Sequence, residues 1–188
     1  MRLLDLGLSV QQQLRDLPYP AYLLSMSVIG RRLGEIYADL LPGDGRLLAA
    51  QTVDVAKAAY LSGEAAADDA WQLHRRWKKL IEDPVILGPL GMYSAMYTLD
   101  MLACELAGRR KPRAAIGQVT NAAKLPDPMA PAPVEPQLVR IDPAQHADDS
   151  SPAVQLMRKY EEVARLAARQ HNTGLPCDPD QIYSIVFG

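Results

Sequence analysis

The sequence predicts an all-α protein, an up-and-down bundle of five to six helices around one central apolar helix at 90–107, with a long proline-rich extended segment. Three observations carry this expectation. Apolar residues recur at helical spacing through most of the chain, and turn residues interrupt them at short, even intervals. The segment LGMYSAMYTLDMLACEL, residues 90–106, is apolar on nearly every face, which suits a helix in the interior of a bundle. At 188 residues and 48% hydrophobic composition the chain is long enough to bury a core.

In chain order, Val10, Leu14 and Leu17 fall at i, i+4 and i+7 and predict a short amphipathic helix over 9–17. Pro18-Tyr19-Pro20 ends it, and Pro20 suits the first turn of a second helix that runs to about residue 41. Gly30 and Gly34 lie one turn apart inside that helix, where their cost is recovered if a neighbouring helix approaches closely. Pro42-Gly43-Asp44-Gly45 reads as a turn, with Asp44 as the N-cap of a third helix to about residue 61.

The fourth helix, expected over 64–82, has Leu73, Trp77, Leu80 and Ile81 on one stripe. Acids stand at its start and bases at its end, as the helix dipole favours. The loop DPVILGP then leads into the apolar helix, which Gly108 closes. These helices form the first unit, a bundle over 1–110.

Composition changes at Lys111. Five prolines fall between Pro126 and Pro136, so 111–152 is expected to be an extended arm or linker anchored only by Leu138, Val139 and Ile141. Ser151-Pro152 caps a last long helix to about residue 170, and the apolar tail carrying Ile182, Ile185, Val186 and Phe187 is expected to dock on the bundle. Residues 153–188 therefore form a third unit.

Charge and cysteine content narrow the function classes. A formal net charge of -2 argues against nucleic acid as a general partner, while leaving room for a local basic patch. No stretch has the length and purity of a membrane span, because Asp100, Glu105, Gly88, Pro89 and Gly91 interrupt the longest apolar run. Cys104 and Cys177 define no disulfide framework, and the N-terminal residues lack a signal-peptide pattern, so the expected setting is cytoplasmic.

Motifs for catalysis are missing from the sequence: it has no phosphate-cradling glycine loop, no nucleophile elbow and no His pair at metal spacing. His74, His146 and His171 read as solvated side chains, and no metal or cofactor is implied. Asp100 is the misfit of the central helix, with Tyr93 and Tyr97 at helical spacing. Burial would raise its pKa, and a tyrosine hydroxyl or a basic side chain from a neighbouring helix would satisfy it. Two basic clusters offer a strip for phosphate, with Arg75, Arg76, Lys79 and Arg109 as the contacts. Dipole complementarity at helix ends also accounts for both clusters.

The run LLPGDGRLLAAQTVDVAKAAYLSGEAAADDA, residues 40–70, resembles the helix-turn-helix signature of a family of bacterial toxin-immunity proteins. The matching elements are Leu41-Pro42, Asp44, Arg46 and Gly63-Glu64. The resemblance implies an all-helical protein that neutralises a cognate toxin by binding it, and it supplies no functional residues.

Three readings follow. The first is a non-enzymatic helical binding protein, an immunity-type inhibitor, that meets a basic toxin through Glu64, Asp68, Asp69 and Trp71. The second is a phosphate or nucleic-acid binding module that uses the two basic strips. The third is a small-ligand or enzymatic pocket around Asp100, Tyr93 and Tyr97. A second copy of the chain, engaged through the proline-rich arm, is a further candidate partner.

Overall fold

Apolar periodicity becomes helix throughout. The computed structural model describes residues 3–83, 88–123, 151–175 and 177–188. Among them are eight helices and no strand, so the protein is an all-α helical bundle. No helix among the described residues is long and apolar enough to cross a membrane.

The first helix, α1 (Leu3–Asp16), starts earlier than the periodicity from Val10 suggests, because Leu6 extends the buried stripe of Val10 and Leu14 by one turn. Helix α2 (Tyr19–Ile36) has Pro20 in its first turn, and the chain turns at 37–40 instead of continuing the helix to residue 41. Residues 21–30 of α2 are buried without a break. The hydroxyls of Ser25 and Ser27 donate to the carbonyls of Ala21 and Leu23, which lets a helix with polar residues sit in the interior.

Helix α3 spans Gly45–Ser62 and ends at Gly63, whose φ of 74° is the left-handed cap expected there. A Cβ on Gly34 would lie 3.1 Å from Ala49, and one on Gly30 would lie 3.3 Å from both Leu99 and Val53. The two glycines thus let α3 and the segment carrying Leu99 close on α2. Helix α4 is Ala67–Ile81, starting three residues later than expected, and it buries Ala70, Leu73 and Trp77. The Trp77 indole donates to Thr52 Oγ1 at 2.9 Å, tying α4 to α3.

Helix α5 (Leu90–Leu106) has the predicted bounds and is buried over most of its length. Its covering is incomplete: Leu90 is 56% exposed and Tyr97 41%.

The arm expected over 111–152 does not begin at Lys111. Residues Ile116–Ala123 form helix α6, and Ala115, Ile116, Val119 and Ala122 are fully buried against the bundle. Tyr37 donates its hydroxyl to the Ala122 carbonyl at 2.8 Å. An eight-residue helix has little stability alone, so tertiary burial decides its conformation. The proline-rich run 126–136 and its 138–141 patch lie outside the described residues.

Helix α7 (Pro152–Thr173) is capped by Ser151, which accepts a hydrogen bond from the Val154 N–H at 3.2 Å. The tail forms helix α8 (Pro179–Phe187), capped by Asp178 and packed on α7 and α2. Ile182 and Tyr183 are buried there, while Ile185 stays 70% exposed. Lys57 joins Asp178 and Asp180 at 2.9 and 2.7 Å and ties the start of α8 to α3.

Candidate functional site

Two helices packed side by side bring their boundary positions together. On α4, His74 follows buried Leu73, and on α5, Asp100 follows buried Leu99. Each polar residue therefore stands at the rim of an apolar stripe, and the two rims meet. His74 Nδ1 lies 2.6 Å from Asp100 Oδ1, with the side chains only 15% and 14% exposed.

Burial raises the Asp100 carboxyl above the usual carboxylate range, against the opposing pull of His74, Arg110 and Lys78. Cys104 is one turn further along α5. Burial also pushes its thiol up, opposed by Arg110 and Arg109, so it is not an activated thiolate.

Trp71 stands one turn before His74 on α4, with ring centroids 5.0 Å apart and planes 30° apart. The Arg109 guanidinium lies over the Trp71 ring at 5.2 Å. A groove of about 370 Å³ opens beside this stack, lined by Trp71, His74, Arg75, Lys78, Lys79 and Glu82. Lys78 and Glu82 pair across one wall at 3.7 Å, both well exposed.

The structure redistributes the residues singled out in the sequence. Trp71, expected to face a partner, is half-buried and stacked within this constellation. Glu64, Asp68 and Asp69 stay exposed at the corner between α3 and α4. Arg75 and Lys79 line the groove and Arg109 covers Trp71. Arg76 leaves the basic strip, its guanidinium donating to Asp44 and Gln51. The hydrogen-bond partner of Asp100 is His74, a basic side chain from the neighbouring helix α4, the second of the two partners expected, in place of a tyrosine hydroxyl. Tyr97 is exposed and Tyr93 half-buried.

His74 is the main residue that sequence reasoning misplaced, since it was read as solvated and instead partners the buried acid. Its neighbour Leu73 on the buried stripe was the available signal. Lys78 and Arg110 are the other two, set apart only by their positions facing Asp100.

A second buried acid lies at the far end of α5. Glu105 is 5% exposed and accepts a hydrogen bond from the Tyr22 hydroxyl at 3.0 Å. Burial raises its carboxyl. The N–H groups of Arg113 and Ala114 and the hydroxyls of Tyr22 and Tyr19 oppose that rise by favouring the ionised form. Arg113 holds a left-handed backbone at φ 73° and donates from its side chain to the Leu17 carbonyl. This network secures the turn into α6 and sits apart from the groove lining.

Among the described residues no cluster of three His, Cys, Asp or Glu side chains is placed to hold a metal ion. Comparison with protein-family models, curated proteins and solved structures returns no match for this chain.

Proposed function

We propose that this chain is a non-enzymatic helical binding module whose working face is α4 with the turn after α5, and that it holds an anionic, phosphate-bearing partner. The observation that carries this reading is the convergence of Arg75, Lys78 and Lys79 on one groove, with Arg109 stacked at its edge. The chain as a whole carries a net charge of -2, so a positive face on it would orient an approaching anion.

A single-stranded oligonucleotide serves as the polyanion probe. Binding is expected at low salt and falls linearly on a logarithmic salt scale, with a slope set by the number of phosphates engaged. The double variant Arg75→Glu, Lys79→Glu loses it. An oligonucleotide that fails to bind at low salt, or that binds the double variant equally well, overturns the reading.

A second reading, the immunity-type inhibitor, is favoured by a different observation. Glu64, Asp68 and Asp69 are all exposed at one corner, where their carboxylates are accessible to a basic protein. Pull-down from the native host, followed by charge reversal at Asp68 and Asp69, tests it. A captured toxin whose neutralisation survives that reversal removes this corner as the anchor.

A further inference from the structure

We propose that the groove along the outer face of α4 is a site for a small phosphate monoester, bound as its dianion, with His74 as the imidazole beside it and Arg75, Lys78 and Lys79 as counter-charges. This rests on the reading that the face takes a phosphate-bearing partner, and it names the class of phosphate.

Charge selects the dianion. The groove carries three cations against the single carboxylate of Glu82, an imbalance that a dianion cancels and a phosphodiester monoanion leaves half unmet. The Glu82 carboxylate is 64% exposed and 3.7 Å from Lys78, so the net positive excess of the groove stands with that acid counted.

Trp71 argues against a stacked nucleobase. One of its ring contacts is His74 at 5.0 Å and another is Arg109 at 5.2 Å, so the platform that a base would use is already occupied. What Trp71 still offers the groove is an apolar wall for the body of a small ligand.

His74 is built for orientation. The Asp100 carboxylate meets Nδ1 at 2.6 Å and fixes the ring, and the His74 side chain lines the groove. The Asp100 charge is itself faced by Arg110 and Lys78, which limits its repulsion of an incoming anion. At about 370 Å³ the groove is near the lower end of small-molecule sites, which run from roughly 300 to 1,000 Å³.

The test is titration with phenyl phosphate, followed by calorimetry and by NMR of the histidine rings. Saturable, salt-sensitive binding is expected, with the His74 resonances shifting and those of exposed His171 unmoved. Methyl phenyl phosphate, a diester of similar shape, should bind about tenfold more weakly or worse, as expected when one charge-assisted contact is lost. The variant Lys78→Ala, Lys79→Ala changes only exposed side chains, so its helicity should match wild type while its affinity falls by about tenfold or more. Equal affinity for the diester, wild-type affinity in the double variant, or an unmoved His74 each overturns the proposal. Oligonucleotide binding that persists while His74 stays silent overturns this inference alone, and loss of both ligands overturns the wider reading with it.

Discussion

Removing the Tyr22 hydroxyl isolates the polar network that holds the turn between α5 and α6. Tyr22 is fully buried, Glu105 is 5% exposed, and their hydrogen bond is 3.0 Å long. Tyr22→Phe deletes one donor and leaves the ring in place, so the change creates almost no cavity. A hydrogen bond to a charged group contributes about 1.5–3 kcal/mol, and leaving its buried acceptor short of a donor puts the cost near 2 kcal/mol. In a chain of 188 residues that corresponds to a fall in Tm of roughly 4–8 °C.

Urea unfolding at pH 7, with circular dichroism as the readout, measures the cost directly. The pH dependence gives a second arm with a definite sign. Burial raises the folded-state pKa of Glu105 above its unfolded value, so the folded protein binds the extra proton and gains stability as pH falls through that folded pKa. The gain is complete below the unfolded value and absent in Glu105→Gln. The stability difference between wild type and Glu105→Gln should therefore drift in favour of wild type on acidification. Tyr22 favours the ionised acid, so the cost of Tyr22→Phe should shrink over the same window. A Tyr22→Phe protein within about 0.5 kcal/mol of wild type at pH 7 would refute the reasoning.

Three further expectations rest on separate contacts. Thr52→Val leaves the buried Trp77 indole N–H without its acceptor, and a loss of about 1–3 kcal/mol in urea unfolding is expected. Ile116→Ala removes a fully buried side chain from α6 and should cost about 2–5 kcal/mol. A surface-like cost below 0.5 kcal/mol would mean that this segment does not pack as described. Lys57→Ala breaks the ties to Asp178 and Asp180, so amide exchange in α8 should accelerate while that in α2 holds. Lys57 also holds the Asp178 carboxyl below the usual carboxylate range. The stability of that contact is present above the ordinary aspartate pKa and is lost as pH falls through the lowered one.

Helix existence was legible because it depends on local spacing. Helix α5 emerged with its predicted bounds, and Gly63 ended α3 where a left-handed cap was expected. The segment over α6 was misread because the proline density of 126–136 was extended back to Lys111, and eight residues carry too short an apolar pattern to stand out against it. The candidate site was legible only in fragments. Trp71 was assigned to a protein partner, Arg109 to a phosphate strip and Asp100 to a pocket, whereas Trp71 and Asp100 both contact His74 in the fold and Arg109 covers Trp71.

What the sequence determined by itself was the inventory: an all-α chain, the helix periodicities, the caps at Gly63 and Ser151 and an acid in an apolar helix. These follow from interactions between residues a few positions apart, which spacing records. Asp44, by contrast, stands at the start of α3 without a capping hydrogen bond and pairs with Arg76. The pairing of His74 with Asp100 across 26 positions, the diversion of Arg76 to Asp44 and Gln51, and the placing of Arg109 over Trp71 were decided only by the tertiary structure. The rotation of each helix about its axis chooses which polar rim meets which, and that rotation is set by burying Leu73, Trp77 and Leu99 together. The chemistry of the acid that first drew notice in α5 is therefore governed by the packing of its apolar neighbours.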